Sequence, residues 1–276
     1  MNLVGEHELS TYHEAGYVIL RGIVKPDLIR TLYEATVRLL HKHSAVPTAW
    51  SDEAAPWSDR AFHGAMMDLR QRAPEWFGAL YDSAQTSVAL QRVSCDGFLT
   101  RAAATLLGED PSGLSTTGSM LRMDAPGDNR NRLEWHQESS YYRQNPCSDH
   151  AIVAWIPMQN LSIDHGPIEV CPGSHRAGRI EVASSGKKDY RTSQQYEVPD
   201  DLVGRYDVVP VLAQAGDAVL FHMDLFHRSG RNTSGEFRFT AATRYHRMLT
   251  EDFVPGRLRY VENEMVRERV AAALTR

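Results

Sequence analysis

The feature that most restricts how this chain can fold is the spacing of its apolar residues beyond residue 112. There they come in short β-type runs, at 152–156, 168–170, 218–221 and 237–245. Pro126-Gly127, Gly166-Pro167, Pro172-Gly173 and Gly216-Asp217 supply turns between them. Such runs are too short and too often broken for helices, and several in succession predict a sandwich or barrel of strands. The earlier part reads differently. Tyr17-Val18-Ile19-Leu20 is a short strand closed by Gly22, and Lys25-Pro26-Asp27 opens a helix with proline in its first turn. Leu28, Ile29, Leu32, Tyr33, Leu39 and Leu40 recur at helical spacing and predict a face packed on a sheet. A second helix is expected over 88–107, with Gly108 as its C-terminal cap. The stretch 44–74, interrupted by Pro47, Trp50, Pro56 and Trp57, and the polar stretch 178–207 are expected to be loops that overhang a site as a lid.

A chain of 276 residues, 42% hydrophobic and 24% charged, is long enough for one domain with a large core. The expected division is a helical flank over about 1–111 and a barrel core over about 112–250, within a single domain spanning 1–276. No run approaches the roughly 20 apolar residues of a membrane span, and the first residues lack the basic-then-apolar pattern of a secretory signal. A cytoplasmic location is the expectation. Cys95, Cys147 and Cys171 are odd in number and widely spaced, which argues against a disulfide framework or a paired-thiolate zinc site. A formal net charge of -5 gives no footprint for nucleic acid, so the expected partner is a small molecule, with neither nucleic acid nor membrane involved.

The sharpest local pattern is Trp135-His136-Gln137-Glu138. In an extended strand His136 and Glu138 point the same way and can bind one ion. Alone, this spacing is common by chance. It gains weight from a second block in which Gly216-Asp217 leads a strand 218–222 and His227 follows as a possible third ligand. Two histidines and a carboxylate on one face of an octahedron leave three positions open, the arrangement by which non-haem iron oxygenases take an oxoacid and dioxygen. Eleven residues after His227 stands Arg238. Alternation places Arg238, Thr240, Ala242 and Arg244 on one face and Phe237, Phe239, Ala241 and Tyr245 on the other. An inward arginine requires a partner, and the distal carboxylate of 2-oxoglutarate matches its fork.

These blocks, taken in order, resemble the phytanoyl-CoA dioxygenase (PhyH) family of Fe(II)- and 2-oxoglutarate-dependent oxygenases. The similarity runs from the opening 14–22 through Trp135-His136-Gln137-Glu138, Ala154-Trp155-Ile156-Pro157, the segment 165–175 and His227-Arg228-Ser229-Gly230 to Arg238. It implies a mainly β fold with flanking helices, the double-stranded β-helix or jelly-roll barrel. It implies His136, Glu138 and His227 as iron ligands, Arg238 as the partner of the far 2-oxoglutarate carboxylate, Ser229 assisting there, and Trp155 lining the pocket. Two departures stand out. Glu138 occupies a place usually held by aspartate, and Asp124 a place where relatives often carry a basic residue, for which Arg122 is a substitute. The expected activity is that of a dioxygenase consuming Fe(II), O2 and 2-oxoglutarate, giving succinate and CO2, and hydroxylating an unactivated C–H of a small molecule by default. A retained carboxylate ligand disfavours halogenation. The alternatives are a non-catalytic, cupin-like metal-binding protein and a cupin-type iron enzyme without an oxoacid. The basic residues Arg122, Arg130, Arg132 and Arg143, with Tyr141 and Tyr142, are expected to form a solvated rim. His150, His165, His175 and His222 are left outside the site.

Overall fold

The computed structural model describes residues 3–43, 56–128, 132–182, 195–255 and 272. Helix α1 (Glu6–Ala15) leads into β1 (Tyr17–Leu20), and α2 (Pro26–His43) follows. Four more helices come next: α3 (Arg60–Arg72), α4 (Pro74–Gln85), α5 (Val88–Ser94) and α6 (Gly97–Leu107). The remaining strands are β2 (Leu114–Asp124), β3 (Ala151–Pro157), β4 (Ile168–Val170), β5 (Val209–Pro210), β6 (Ala218–His222), β7 (His227–Ser229) and β8 (Arg238–Arg247), with a short α7 (Asp200–Val203) before β5. They form two antiparallel sheets, a five-stranded β1-β6-β3-β8-β2 and a three-stranded β5-β4-β7. The sheets face each other as a jelly roll and do not close into the barrel the sequence suggests, since no ladder joins the two among the described residues.

The two-residue period of the strands decides which core each side chain joins. Leu220, Ile152, Ala154, Phe237, Phe239, Ala241 and Tyr245 turn outward to the helices, where Leu32, Leu40, Met66, Leu90 and Leu99 are fully buried. Val153, Trp155, Val219, Phe221 and Ala242 turn inward and meet Ile168 and Val170 of the small sheet. The functional cavity opens in this second layer. Where the chain enters β4 and leaves β7, neighbouring strands of the small sheet, glycine is required: a Cβ on Gly166 would lie 2.4 Å from the Arg231 carbonyl carbon, and one on Gly230 2.4 Å from Pro167 O.

The structure corrects three expectations about the flanks. The helix over 88–107 is two helices. Asp96 accepts from Phe98 N and Leu99 N and so starts α6 afresh, while Gly108 caps it in the left-handed region as expected. Within the stretch 44–74, residues 60–72 form α3, with Asp59 as N-cap, and Pro74 begins α4. Both helices pack on the outward face of the large sheet, where Phe62 and Trp57 meet Phe239, so the described part of that stretch is no lid; 44–55 lie outside the described residues. The flanks of 178–207 are also anchored: Val198 N donates to Trp135 O, and Val198 and Val203 pack with Trp135 and Phe226. Residues 183–194 of that stretch lie outside the described residues. Among the described residues no helix is long and apolar enough to cross a membrane.

Candidate metal centre and its cavity

His136 and Glu138 do not sit on a strand. His136 forms an isolated bridge with His227, and Glu138 opens a 3-10 turn, Glu138–Ser140. The expected same-side placement survives because Gln137 is extended (φ -117, ψ 139) and its side chain is held away from the site. Gln137 Nε2 donates to Asp224 O and Gly178 O, and its Oε1 accepts from Ile180 N. His136 N donates to His227 O at 3.0 Å and His227 N to His136 O at 3.2 Å, so each histidine fixes the backbone of the other.

The donor atoms of His136, Glu138 and His227 all lie within 4.8 Å of one another, and the three side chains are buried. Each imidazole spends its Nδ1 hydrogen on a backbone carbonyl, His136 on Glu134 O at 2.7 Å and His227 on Leu225 O at 2.9 Å. A carbonyl only accepts, so the free lone pair of each ring is on Nε2. Those Nε2 atoms stand 3.9 Å and 3.6 Å from Glu138 Oε1. Burial, with the His227 ring beside it, pushes His136 down to about 3, which leaves it neutral and able to ligate at ordinary pH. Burial alone would raise the Glu138 carboxyl, but the Arg244 guanidinium and the two histidines hold it well below the usual carboxylate range. Two imidazoles presenting Nε2 and an ionised carboxylate suit a divalent first-row transition ion.

The triad lies in a cavity of about 240 Å³ whose wall includes Arg122, Trp155, Ser229, Arg238 and Arg244. Arg238 is 4% exposed and opposes Asp124 in the β2–β8 ladder. Its Nε and Nη2 both donate to Asp124 Oδ2, at 3.2 and 2.7 Å, and its Nη1 donates to Gly230 O at 3.3 Å. Arg122 binds the same carboxylate, at 3.3 and 3.2 Å. The sequence left Arg238 without a protein partner; the structure gives it Asp124 and makes Arg122 the second cation of a buried triad. A guanidinium has five N–H donors, so a hydrogen on each Nη still remains for a further acceptor. Ser229 lines the cavity next to Gly230, with Oγ 3.4 Å from Leu133 N, and Trp155 pairs with Ala242 across β3 and β8. Thr240, on the same face of β8, is fully buried with no hydrogen-bond partner for Oγ1 among the described residues. With the histidines left aside, Arg122, Arg238 and Arg244 face two carboxylates, Asp124 and Glu138, so this wall has a surplus positive charge.

One residue was missed in the sequence: Arg244 forks both oxygens of Glu138. Strand alternation had already put it on the face of Arg238, which was the available signal. The histidines left outside remain outside: β6 ends at His222, whose Nε2 meets Asp149; His150 meets Asp252, His165 meets Ser162, and His175 meets His13 O. Of the expected rim, Arg143 is exposed and Arg132 pairs with Glu134; Arg130 lies outside the described residues.

An open jelly roll that brings two histidines and a carboxylate to the floor of an arginine-lined cavity defines the class of non-haem metal proteins with a facial triad. Comparison with known proteins places the chain within that class. It belongs to the phytanoyl-CoA dioxygenase (PhyH) family, whose sequence profile matches residues 12–240. The L-proline trans-4-hydroxylase of Streptomyces griseoviridis is 31% identical over 137 residues, 45% of this chain and 51% of that protein. The peroxisomal phytanoyl-CoA dioxygenase of Homo sapiens is 30% identical over 112 residues, 41% of this chain and 32% of that one. The chain thus spans about half the length, or less, of these curated relatives. Among solved structures, the epimerase SnoN in complex with Fe3+, alpha ketoglutarate and nogalamycin RO has a TM-score of 0.58 at 17% identity, over 87% of this chain and 82% of that one. EctD from S. alaskensis, with 2-oxoglutarate and 5-hydroxyectoine, has a TM-score of 0.56 at 19% identity, over 92% and 84%. At these identities the likeness shows a shared fold.

Proposed function

We propose that the protein is an iron(II) dioxygenase that uses 2-oxoglutarate to hydroxylate an unactivated C–H of a small molecule. The observation that carries this reading is the pairing, in one cavity, of three convergent ligand atoms with an arginine whose outer fork is still open. The donor set fits iron(II). The surplus positive charge of the wall fits a dianionic oxoacid. Family membership and the two relatives' names support the same chemistry.

His136 and His227 would bind the ion through Nε2 and Glu138 through Oε1. Bound iron supplies oxygen activation, with 2-oxoglutarate oxidised to succinate and carbon dioxide while one oxygen atom enters the substrate as hydroxyl. Arg238 receives the distal carboxylate of the oxoacid on its free Nη hydrogens, with Ser229 as hydroxyl partner. Asp124 holds that guanidinium in plane. Trp155, Val153, Ile168 and Phe221 form an apolar wall that excludes water from the reacting carbon. At about 240 Å³ the cavity is smaller than the roughly 300–1,000 Å³ of ordinary ligand pockets, so it admits an amino-acid-sized substrate, or only the reacting end of a larger one.

The test is an anaerobic titration of iron(II)-loaded protein with 2-oxoglutarate, following the weak visible charge-transfer band of a chelated oxoacid. Wild type should develop the band, and Arg238→Ala should need at least about tenfold more oxoacid, the loss of a charge-assisted fork. The rival reading, a metal-binding jelly roll without catalysis, draws on Asp124, which already satisfies part of Arg238. Iron bound with no band would favour that rival.

A further inference from the structure

Among the described residues Arg244 forks a triad member from the cavity wall, and the reaction above gives it no task. Its Nη2 donates to Glu138 Oε1 at 2.7 Å, its Nε to Glu138 Oε2 at 3.2 Å, and its Nη1 to Gly118 O at 2.8 Å. Its plane lies over the Tyr142 ring, 4.4 Å from the centroid. The site for this guanidinium is built. In β2 the register slips between Thr117 and Met120, so that Gly118 and Ser119 stand opposite Thr243 alone. This bulge brings the Gly118 carbonyl to Arg244. Gly118 has φ +62, and a Cβ there would lie 2.6 Å from Tyr142, so only glycine allows the carbonyl, the tyrosine and the arginine to meet.

The two oxygens of Glu138 are not equivalent. Oε1 is near both histidine Nε2 atoms and also accepts from Arg244 Nη2, while Oε2 accepts from Arg244 Nε, so the guanidinium clamps both oxygens and fixes which of them faces the histidines. A carboxylate can give a divalent ion one oxygen or both. Glutamate, with one more torsion than aspartate, turns more easily to give both. We propose that Arg244 is a positioning residue that confines Glu138 to donation through one oxygen, and so keeps open a coordination position that the co-substrate needs. The proposal rests on reading the site as an iron and 2-oxoglutarate centre. The competing explanation is that Arg244 only neutralises a buried carboxylate, which any cation would do.

The experiment uses the full chain with Arg244→Met and Arg244→Lys. Thermal midpoints of the metal-free proteins first establish folding, and Lys carries the test if Met does not fold. Iron(II) affinity is then measured anaerobically, and separately the 2-oxoglutarate concentration that half-develops the charge-transfer band. Both variants should hold iron within about threefold of wild type, because the released Oε2 offsets the lost alignment, yet need at least about tenfold more oxoacid, the scale of effects from residues behind metal ligands. Lysine behaving as wild type would overturn the proposal, since charge alone would then suffice. So would iron and oxoacid affinities falling together, or neither variant moving the band. No band in wild type would instead remove the iron and 2-oxoglutarate reading itself, and the proposal with it.

Discussion

Replacing Asp124 by alanine tests the electrostatics of the cavity wall apart from any ligand. Asp124 is 5% exposed and lies between Arg122 and Arg238, with its shortest contact, 2.7 Å, to Arg238 Nη2. Burial would raise its carboxyl, but the two guanidiniums lower it below the ordinary value, so it is ionised at neutral pH. At an effective dielectric of 20, opposite unit charges about 4 Å apart attract by about 4 kcal/mol, and removing one partner of a buried pair costs about 3–5 kcal/mol. Asp124→Ala leaves two like charges facing each other, so a loss near the upper end is expected, a fall in thermal midpoint on the order of 10 °C for a chain of this size. Asp124→Asn, which keeps the shape but not the charge, should recover less than half. The sign with pH follows from the lowered value: the contribution is fully present above the unfolded carboxylate's value, starts to fall below it and is lost only as pH passes the lower folded-state value. The gap between wild type and variant should therefore be full at pH 7.5 and begin to narrow below about pH 4, by at most about 1.4 kcal/mol per pH unit. Differential scanning calorimetry of the metal-free proteins at pH 7.5 and 3.5 is the assay. A variant melting within about 2 °C of wild type at pH 7.5, less than 1 kcal/mol on the same scale, would refute the reasoning.

Phe239→Ala should cost about 3–5 kcal/mol, because the ring is fully buried against Trp57 and Phe62. As that residue faces the helices, metal affinity per folded molecule should stay at the wild-type value, and a joint loss in a folded variant would show that the two faces of β8 are coupled. The metal-free protein should lose stability as pH falls from about 6.5 toward 4. Burial pushes His246 down to about 4 and lowers His63 as well, so the unfolded chain takes up protons that the folded one refuses, each at up to about 1.4 kcal/mol per pH unit. Urea midpoints that stay flat between pH 7 and pH 5 would contradict this.

Strand periodicity made β8 readable: Arg238, Thr240, Ala242 and Arg244 fall on one face, and the structure keeps them there. The triad was readable too, since the i and i+2 placement of His136 and Glu138 depends only on Gln137 being extended, not on a complete strand. Pairings that depend on register were hidden. Asp124 looked like a departure because nothing in the chain says it sits opposite Arg238, and Glu138 and Arg244, over a hundred residues apart, meet only through the fold. Helices α3 and α4 were concealed for another reason. The stretch was read as irregular up to Pro74, whereas at the first position of a helix proline is favourable and Pro74 begins α4. Asp96-Gly97 carried the opposite message within 88–107, because apolar spacing continues on either side of a break that a single side-chain cap creates.

The reciprocal bridge of His136 and His227 also bears on the order in which the molecule is assembled. The two residues are about ninety positions apart, so their peptide groups meet only after the chain has closed a long loop and brought the 136–138 segment alongside β7. The unfolded chain offers an ion at most His136 and Glu138 as neighbours, a weak pair of donors. An ion held by all three therefore acts as a late cross-link between the 136–138 segment and β7. It lengthens the lifetime of the finished fold more than it hastens its formation.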